Sequence, residues 1–208
     1  MNDATIRNLR QANQTLKEIS GARHACVLLV DRANFGRMKS VMEAIQAHPG
    51  LRLSVICGGS TVLQRFYTGP PLAEQLASQG YDVTPVWHEA EGNLPLTQAK
   101  SLGDGCREYA TALHRMRPDM VLCIGDRYQL LGAAAATVTL GIPLVHFQGG
   151  EVSGSLDERY RHAVSKLSDY HCPATKQAAE NLVQMGEREE SILTVGCPSS
   201  DLARGVMF

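Results

Sequence analysis

The chain has 208 residues, 20 Lys and Arg against 21 Asp and Glu, a formal charge of −1, 44% hydrophobic and 20% charged residues. That length buries a substantial core and suits one domain or one and a half. The near-neutral charge gives no reason to expect a nucleic acid or a membrane surface as partner, so an anionic ligand must be held by local positive charge.

Met1 to Ser20 is polar with a sparse apolar stripe of Ile6, Leu9, Leu16 and Ile19. It reads as an N-terminal helical extension over residues 1–22, a cap or an oligomer contact ahead of the first strand. It lacks the apolar centre of a secretory leader, and no apolar run approaches the length of a membrane span. The reading is a cytoplasmic protein. Six cysteines are scattered without CxxC spacing, and Cys26, Cys57 and Cys123 fall inside apolar runs, where cysteine acts as a small buried hydrophobe.

Ala25 to Val30 is a continuous apolar run of strand length, followed by helical spacing over Met38 to Ile45. Leu51 to Cys57 reads as a second strand, Leu72 to Ser78 as a helix and Tyr81 to Trp87 as a third strand. Gln98 to Met116 has the pattern of a long helix, Asp119 to Ile124 of a fourth strand, Gln129 to Leu140 of an alanine-rich helix. A fifth strand at Leu144 to Phe147 precedes a helix at Asp157 to Leu167. A short strand at Tyr170 to Cys172, a helix at Gln177 to Met185 and a last strand at Ser191 to Val195 follow. Short buried strands alternating with helices predict a doubly wound, Rossmann-like parallel sheet over residues 23–195. Residues 196–208 are rich in Gly, Pro and Ser and read as the start of a linker.

In such a sheet, ligands bind beyond the carboxyl ends of the strands. Three ends stand out. Asp31 to Arg37 follows the first strand, where helix N–H groups with Arg32 and Arg37 suit a phosphate; the bland alternative is an exposed turn, and the absence of GxGxxG disfavours a dinucleotide. Gly125-Asp126-Arg127 follows the fourth, where Asp126 is either a base or hydroxyl anchor, or a helix cap. His146 to His162 is the densest. Its glycine pair lets backbone approach a ligand, and helical spacing places Asp157, Tyr160, Arg161, Val164 and Leu167 on one face. Asp157 and Arg161 are thereby expected to pair, as an acid/base environment or as an ordinary ion pair. His24, His48, His88 and His114 read as surface or element-end residues, and no cluster has metal-ligand spacing.

The run HFQGGEVSGSLDERYRHAVSKLSDYHCPATKQAAENLVQMGE, from His146 to Glu187, resembles the signature of hydrolysing UDP-N-acetylglucosamine 2-epimerases of sialic-acid-type pathways. IGDR at Ile124 to Arg127, RANFG at Arg32 to Gly36 and GCPSSD at Gly196 to Asp201 are similar to further motifs of that family, and the resemblance spans about residues 24 to 201. It implies the N-terminal half of a GT-B fold, with the C-terminal domain absent or carried by a separate chain, and no activity without that half. It implies an enzyme that binds a UDP-sugar and assembles as a homo-oligomer; no cofactor or metal is expected.

The resemblance implies elimination of UDP across C1 and C2 to a 2-acetamidoglucal, then addition of water. Asp126 and Asp157 match catalytic aspartates, and Arg32 and Arg37 match phosphate contacts. Arg161 and His162 match the RH pair, read as substrate-orienting, with Arg127 and His146 beside them as further binding candidates. Many members carry a glutamate where this chain has Gln148, and an amide exchanges no protons. Either Glu151 takes over, or the clade works differently, or activity is reduced. Asn34 stands where the family has an aspartate, and Gly58 to Gly69 lacks the usual His-Leu. These departures motivate an alternative, a non-catalytic sugar-nucleotide-binding or regulatory subunit of the same fold.

Overall fold

The computed structural model describes residues 21–88 and 94–203, apart from the side chains of Asp201 and Leu202. Residues 1–20 of the helical extension expected over 1–22, and the end of the expected linker, lie outside those residues. The apolar runs become six strands: β1 (Arg23–Leu29), β2 (Leu51–Cys57), β3 (Val83–Pro85), β4 (Met120–Ile124), β5 (Leu144–Phe147) and β6 (Tyr170–Cys172). Helices α1 (Arg32–Ala47), α2 (Leu72–Ser78), α3 (Pro95–Met116), α4 (Tyr128–Thr139), α5 (Leu156–Leu167) and α6 (Lys176–Gln184) alternate with them, and α7 (Pro198–Ala203) follows. All neighbouring strands are parallel, in the order β3-β2-β1-β4-β5-β6.

The period-two alternation of side chains explains why ACVLLV is apolar throughout. Ala25, Val27 and Leu29 point into a core with Met38, Met42 and Ile45 of α1 and Leu72 and Leu76 of α2. Cys26, Leu28 and Val30 point the other way, against Tyr109 and Leu113 of α3, Leu130 and Ala133 of α4 and Val164 of α5. Each fully buried aliphatic side chain contributes roughly 1.5–3 kcal/mol, so β1 anchors both layers. The alanine-rich α4 lies close against α3, where a Cβ on Gly132 would meet the Leu102 carbonyl at 2.8 Å.

Three expectations change. The last strand is reduced to a single bridge between His171 and Ile192, extended by N–H groups of Leu193 and Val195 to carbonyls of His171 and Pro173. Leu193, Thr194 and Val195 are exposed, so burial adds little to drive a longer ladder. The Gly/Pro/Ser-rich tail folds back as α7 against α1, with the Cys197 carbonyl accepting the Ser200 N–H at 2.9 Å. His24, second in β1, and His88, just after β3, do lie near element ends, but both are buried and neither is at the surface. His24 bonds to Ser54 and Arg52, and His88 to Tyr109 and the Gly59 N–H; these bonds make burial of a polar ring tolerable.

The order reverses direction between β1 and β4, the switch point at which a doubly wound sheet opens a crevice. The loops after β1, β4 and β5 meet there.

Candidate active site

The loop after β1 is shaped by its own polar residues. Asp31 caps α1, its carboxylate accepting the Ala33 N–H at 2.9 Å, and Asn34 completes a capping box. Asn34 is buried, and its Oδ1 accepts the N–H groups of Val30 (3.1 Å) and Asp31 (2.8 Å). The residue that departs from the family pattern therefore closes the turn. Arg37, one turn into α1, has Nη1 3.9 Å from where a Cβ on Gly125 would sit. Gly125 has φ +92°, a conformation open to glycine and strained for most other residues.

After Gly125 comes Asp126, whose carboxylate accepts a hydrogen bond from the Arg161 guanidinium. Arg161 Nη1 also donates to the Glu151 carbonyl at 2.6 Å. One buried guanidinium thus joins the β4 loop, the β5 loop and α5. The Arg161 side chain is 7% exposed and that of Asp126 24%, so the carboxylate is paired on one side and open on the other. A charge-assisted bond of this kind is strong and orients its acceptor.

The loop after β5 is held from several directions. His146 is fully buried, with Nδ1 on Ser165 Oγ (3.0 Å) and Nε2 on the Gly125 carbonyl (2.9 Å). Burial lowers its pKa to about 4, against the pull of the Gly125 carbonyl, so it is a neutral ring at neutral pH. The two glycines that follow serve packing more than ligand approach. A Cβ on Gly149 would press on Ser165 and His146, and one on Gly150 would run into the Ala178 carbonyl of α6. Further along, Glu158 accepts the N–H groups of Ser153 (2.5 Å) and Gly154 (2.6 Å), and these two bonds hold its carboxyl below the usual range.

Between the loops lies a cavity of about 450 Å³, lined by Arg37, Gly125, Asp126, Gln148, Glu151, Arg161, Cys197 and Ser199. Two other cavities, of about 320 and 630 Å³, flank β3 and Trp87 at the edge of the sheet. Neither contains the residues that follow β1, β4 and β5. The 450 Å³ cavity is selected by its chemistry: two carboxylates, two guanidiniums, an amide and a thiol at the switch point.

Five of the ten expected residues line it: Arg37, Asp126, Gln148, Glu151 and Arg161. The others do not. Asp157 is not the partner of Arg161; it is 40% exposed and sits 3.8 Å from Arg127. Helical spacing permitted a pair with Arg161, but the buried guanidinium turns inward to Asp126. Arg127 lies 6.0 Å from the Tyr128 ring, beside Asp157. Arg32 is exposed, its guanidinium 5.6 Å from the Phe66 ring. His146, expected as a binding residue, is buried with both ring nitrogens bonded, to Ser165 Oγ and the Gly125 carbonyl, and is not among the residues that line the cavity. His162 is turned to the Met185 sulfur, 3.0 Å from Nδ1, away from the cavity lining. Cys197 and Ser199 were missed as site residues. They fall in the stretch that reads in sequence as the start of a linker, and nothing local signals that α7 folds back over α1.

Among the described residues no group of three His, Cys, Asp or Glu is disposed to hold a metal ion, and no helix is long and apolar enough to cross a membrane.

The sequence model of the UDP-N-acetylglucosamine 2-epimerase family matches residues 43–207. The hydrolyzing UDP-N,N'-diacetylbacillosamine 2-epimerase of Legionella pneumophila is 37% identical over 170 residues, which cover 82% of this chain and 45% of that protein. The UDP-N-acetylglucosamine 2-epimerase of Neisseria meningitidis is 32% identical over 171 residues, covering 82% and 44%. The crystal structure of UDP-GlcNAc 2-epimerase from Neisseria meningitidis, bound to UDP-GlcNAc, superposes with a TM-score of 0.71 at 19% identity, over 86% of this chain and 47% of that one. At that identity the likeness is one of fold. The chain spans about half the length of the curated relatives it matches, as one Rossmann-like half of a GT-B fold would.

Proposed function

Because this chain belongs to the UDP-N-acetylglucosamine 2-epimerase family, we propose that it is the N-terminal half of a hydrolysing 2-epimerase. In this reading residues 23–195 form the Rossmann-like domain, 1–22 an extension, and 196–208 open the path to a second domain that closes the cleft. The substrate is UDP-N-acetylglucosamine or a close analogue, and the product an N-acetylmannosamine-type sugar for a cytoplasmic sialic-acid-type pathway. The working protein is a homo-oligomer, and the half alone is inactive.

The observation that carries the proposal is the open side of Asp126: a carboxylate at the switch point, oriented by Arg161 and facing a polar cavity that Arg37 also lines. The proton on C2 of the sugar is weakly acidic and needs a positioned base. Asp126 and Glu151 are the carboxylates that face the cavity. As the C2–H bond breaks, the C1–O bond to UDP breaks with it and leaves a 2-acetamidoglucal. The diphosphate that departs gains charge, which Arg37 offsets. Water then adds across the double bond, hydroxyl to C1 and proton to C2, giving the epimer. Asp157, at the start of α5 beside Arg127, is the second acid/base at the rim of the completed cleft.

The test joins this chain to a C-terminal half from the family and supplies UDP-N-acetylglucosamine in deuterium oxide. Release of UDP with deuterium at C2 of the product supports the proposal. UDP binding with neither event rejects the epimerase reading. That outcome would favour a binding or regulatory subunit, the second reading, for which Gln148 speaks because its amide exchanges no protons.

A further inference from the structure

Gln148 has φ +59°, a left-handed conformation that is strained for a non-glycine residue and persists where surroundings impose it. Here the surroundings are visible. The side chain is buried and engaged at both ends: Oε1 accepts from Arg37 Nη1 at 3.4 Å, and Nε2 donates to Cys197 Sγ at 3.0 Å. Arg37 comes from α1, Gln148 from the end of β5, and Cys197 from the turn into α7. One amide therefore joins three segments around the cavity.

The sulfur is prepared for this. Partial burial pushes the Cys197 thiol up, but the N–H and hydroxyl groups of Ser199 and Ser200 outweigh it and bring the thiol below its usual value.

The two arginines of the cavity differ in charge balance. Arg161 is paired with Asp126, whereas Arg37 makes no ion pair among the described residues. An amide oxygen fixes the direction of a guanidinium without offsetting its charge. A carboxylate at the same place would neutralise it, and more so in a sheltered cavity than in water.

We propose that Gln148 is a positioning residue that aims Arg37 at the cavity with its charge uncompensated, and that Cys197 anchors the amide from the other end. The inference rests on the reading of the cavity as the site for the diphosphate of a sugar nucleotide. In that site Gln148 acts through Arg37 and makes no contact of its own with the phosphates.

The test is a double-mutant cycle read by the Kd for UDP, using the 208-residue chain and nuclear magnetic resonance titration, with folding of each variant checked by circular dichroism. Gln148→Met keeps the bulk and removes both hydrogen bonds; Gln148→Asn, one methylene too short to span both partners, serves if the methionine variant does not fold. Gln148→Met should weaken UDP about 5-fold and Arg37→Met about 10-fold, while the double variant should match Arg37→Met to within about 2-fold. The pH midpoint for iodoacetamide alkylation of Cys197 should also rise in Gln148→Met, because the thiolate loses a donor. An equal loss from Gln148→Met with and without Arg37, no loss at all, or an unmoved Cys197 midpoint overturns the proposal. If the parent chain does not bind UDP, the reading of the cavity fails and takes the proposal with it; binding without coupling defeats the proposal alone.

Discussion

Arg161→Met preserves most of the side-chain volume and deletes a guanidinium whose side chain is 7% exposed. Two contacts are lost, the ion pair with Asp126 and the 2.6 Å bond to the Glu151 carbonyl. Removing one partner of a fully buried pair costs about 3–5 kcal/mol, because the other charge is left uncompensated. Asp126 keeps 24% exposure and recovers some hydration, which lowers that penalty; the orphaned carbonyl adds about 1 kcal/mol. The expected loss is about 3 kcal/mol, in urea unfolding followed by far-ultraviolet circular dichroism. Asp126→Asn, which keeps an acceptor but no charge, should cost about 1–2 kcal/mol. The double variant Arg161→Met/Asp126→Leu, with no charge left to strand, should be more stable than Arg161→Met alone by about 1–2 kcal/mol. A loss below about 1 kcal/mol for Arg161→Met, or a double variant no more stable than Arg161→Met alone, would refute the claim that this guanidinium holds that carboxylate.

Three further outcomes are expected. His146 titrates near 4 in the fold, lowered by burial, against 6.5 for a free ring; the unfolded chain binds a proton in that window that the native state refuses, so stability should fall as pH drops from 6.5 towards 4 and level off above 7. Thermal unfolding at pH 5 and pH 7 checks this, and His146→Asn should flatten the dependence. Gly150→Ala should cost more than about 3 kcal/mol or prevent folding, because φ is +80° and its Cβ would strike the Ala178 carbonyl, whereas Gly154→Ala, at φ +71° in open space, should cost about 1 kcal/mol by the same unfolding assay. Burial pushes Cys26 and Cys57 up to about 12, and Cys123 higher; peptide mass spectrometry after brief iodoacetamide treatment should find these three unmodified and Cys197 modified first.

The strands were legible because burial on both faces leaves an unbroken apolar run, as in Ala25 to Val30, and Leu144 to Phe147 matched residue for residue. The sheet order was legible only as a class, since local pattern does not say that β4 lies beside β1. The three polar strand ends were visible from composition, and the structure brings residues from each into one cavity. Pairing within the site was not. Asp157 sits four residues from Arg161 on a helix, but the partner is Asp126, 35 residues away. A local spacing rule competes poorly with a buried charge that must find the carboxylate within its reach. His146 illustrates a second limit: a histidine whose ring is saturated by Ser165 and the Gly125 carbonyl reads in sequence like one that binds a ligand. Cys197 illustrates a third, because the fold-back of α7 is a tertiary event with no local signal beyond Gly196 and Pro198.

The central claim is that a sugar nucleotide binds where β1 and β4 part. A crystal structure of this chain joined to a family C-terminal half, soaked with UDP-N-acetylglucosamine, tests it most directly. The diphosphate should lie within hydrogen-bond reach of Arg37, with C2 of the sugar over the open side of Asp126. Nucleotide bound against β3 and Trp87, or a sugar ring out of reach of both Asp126 and Glu151, would contradict it.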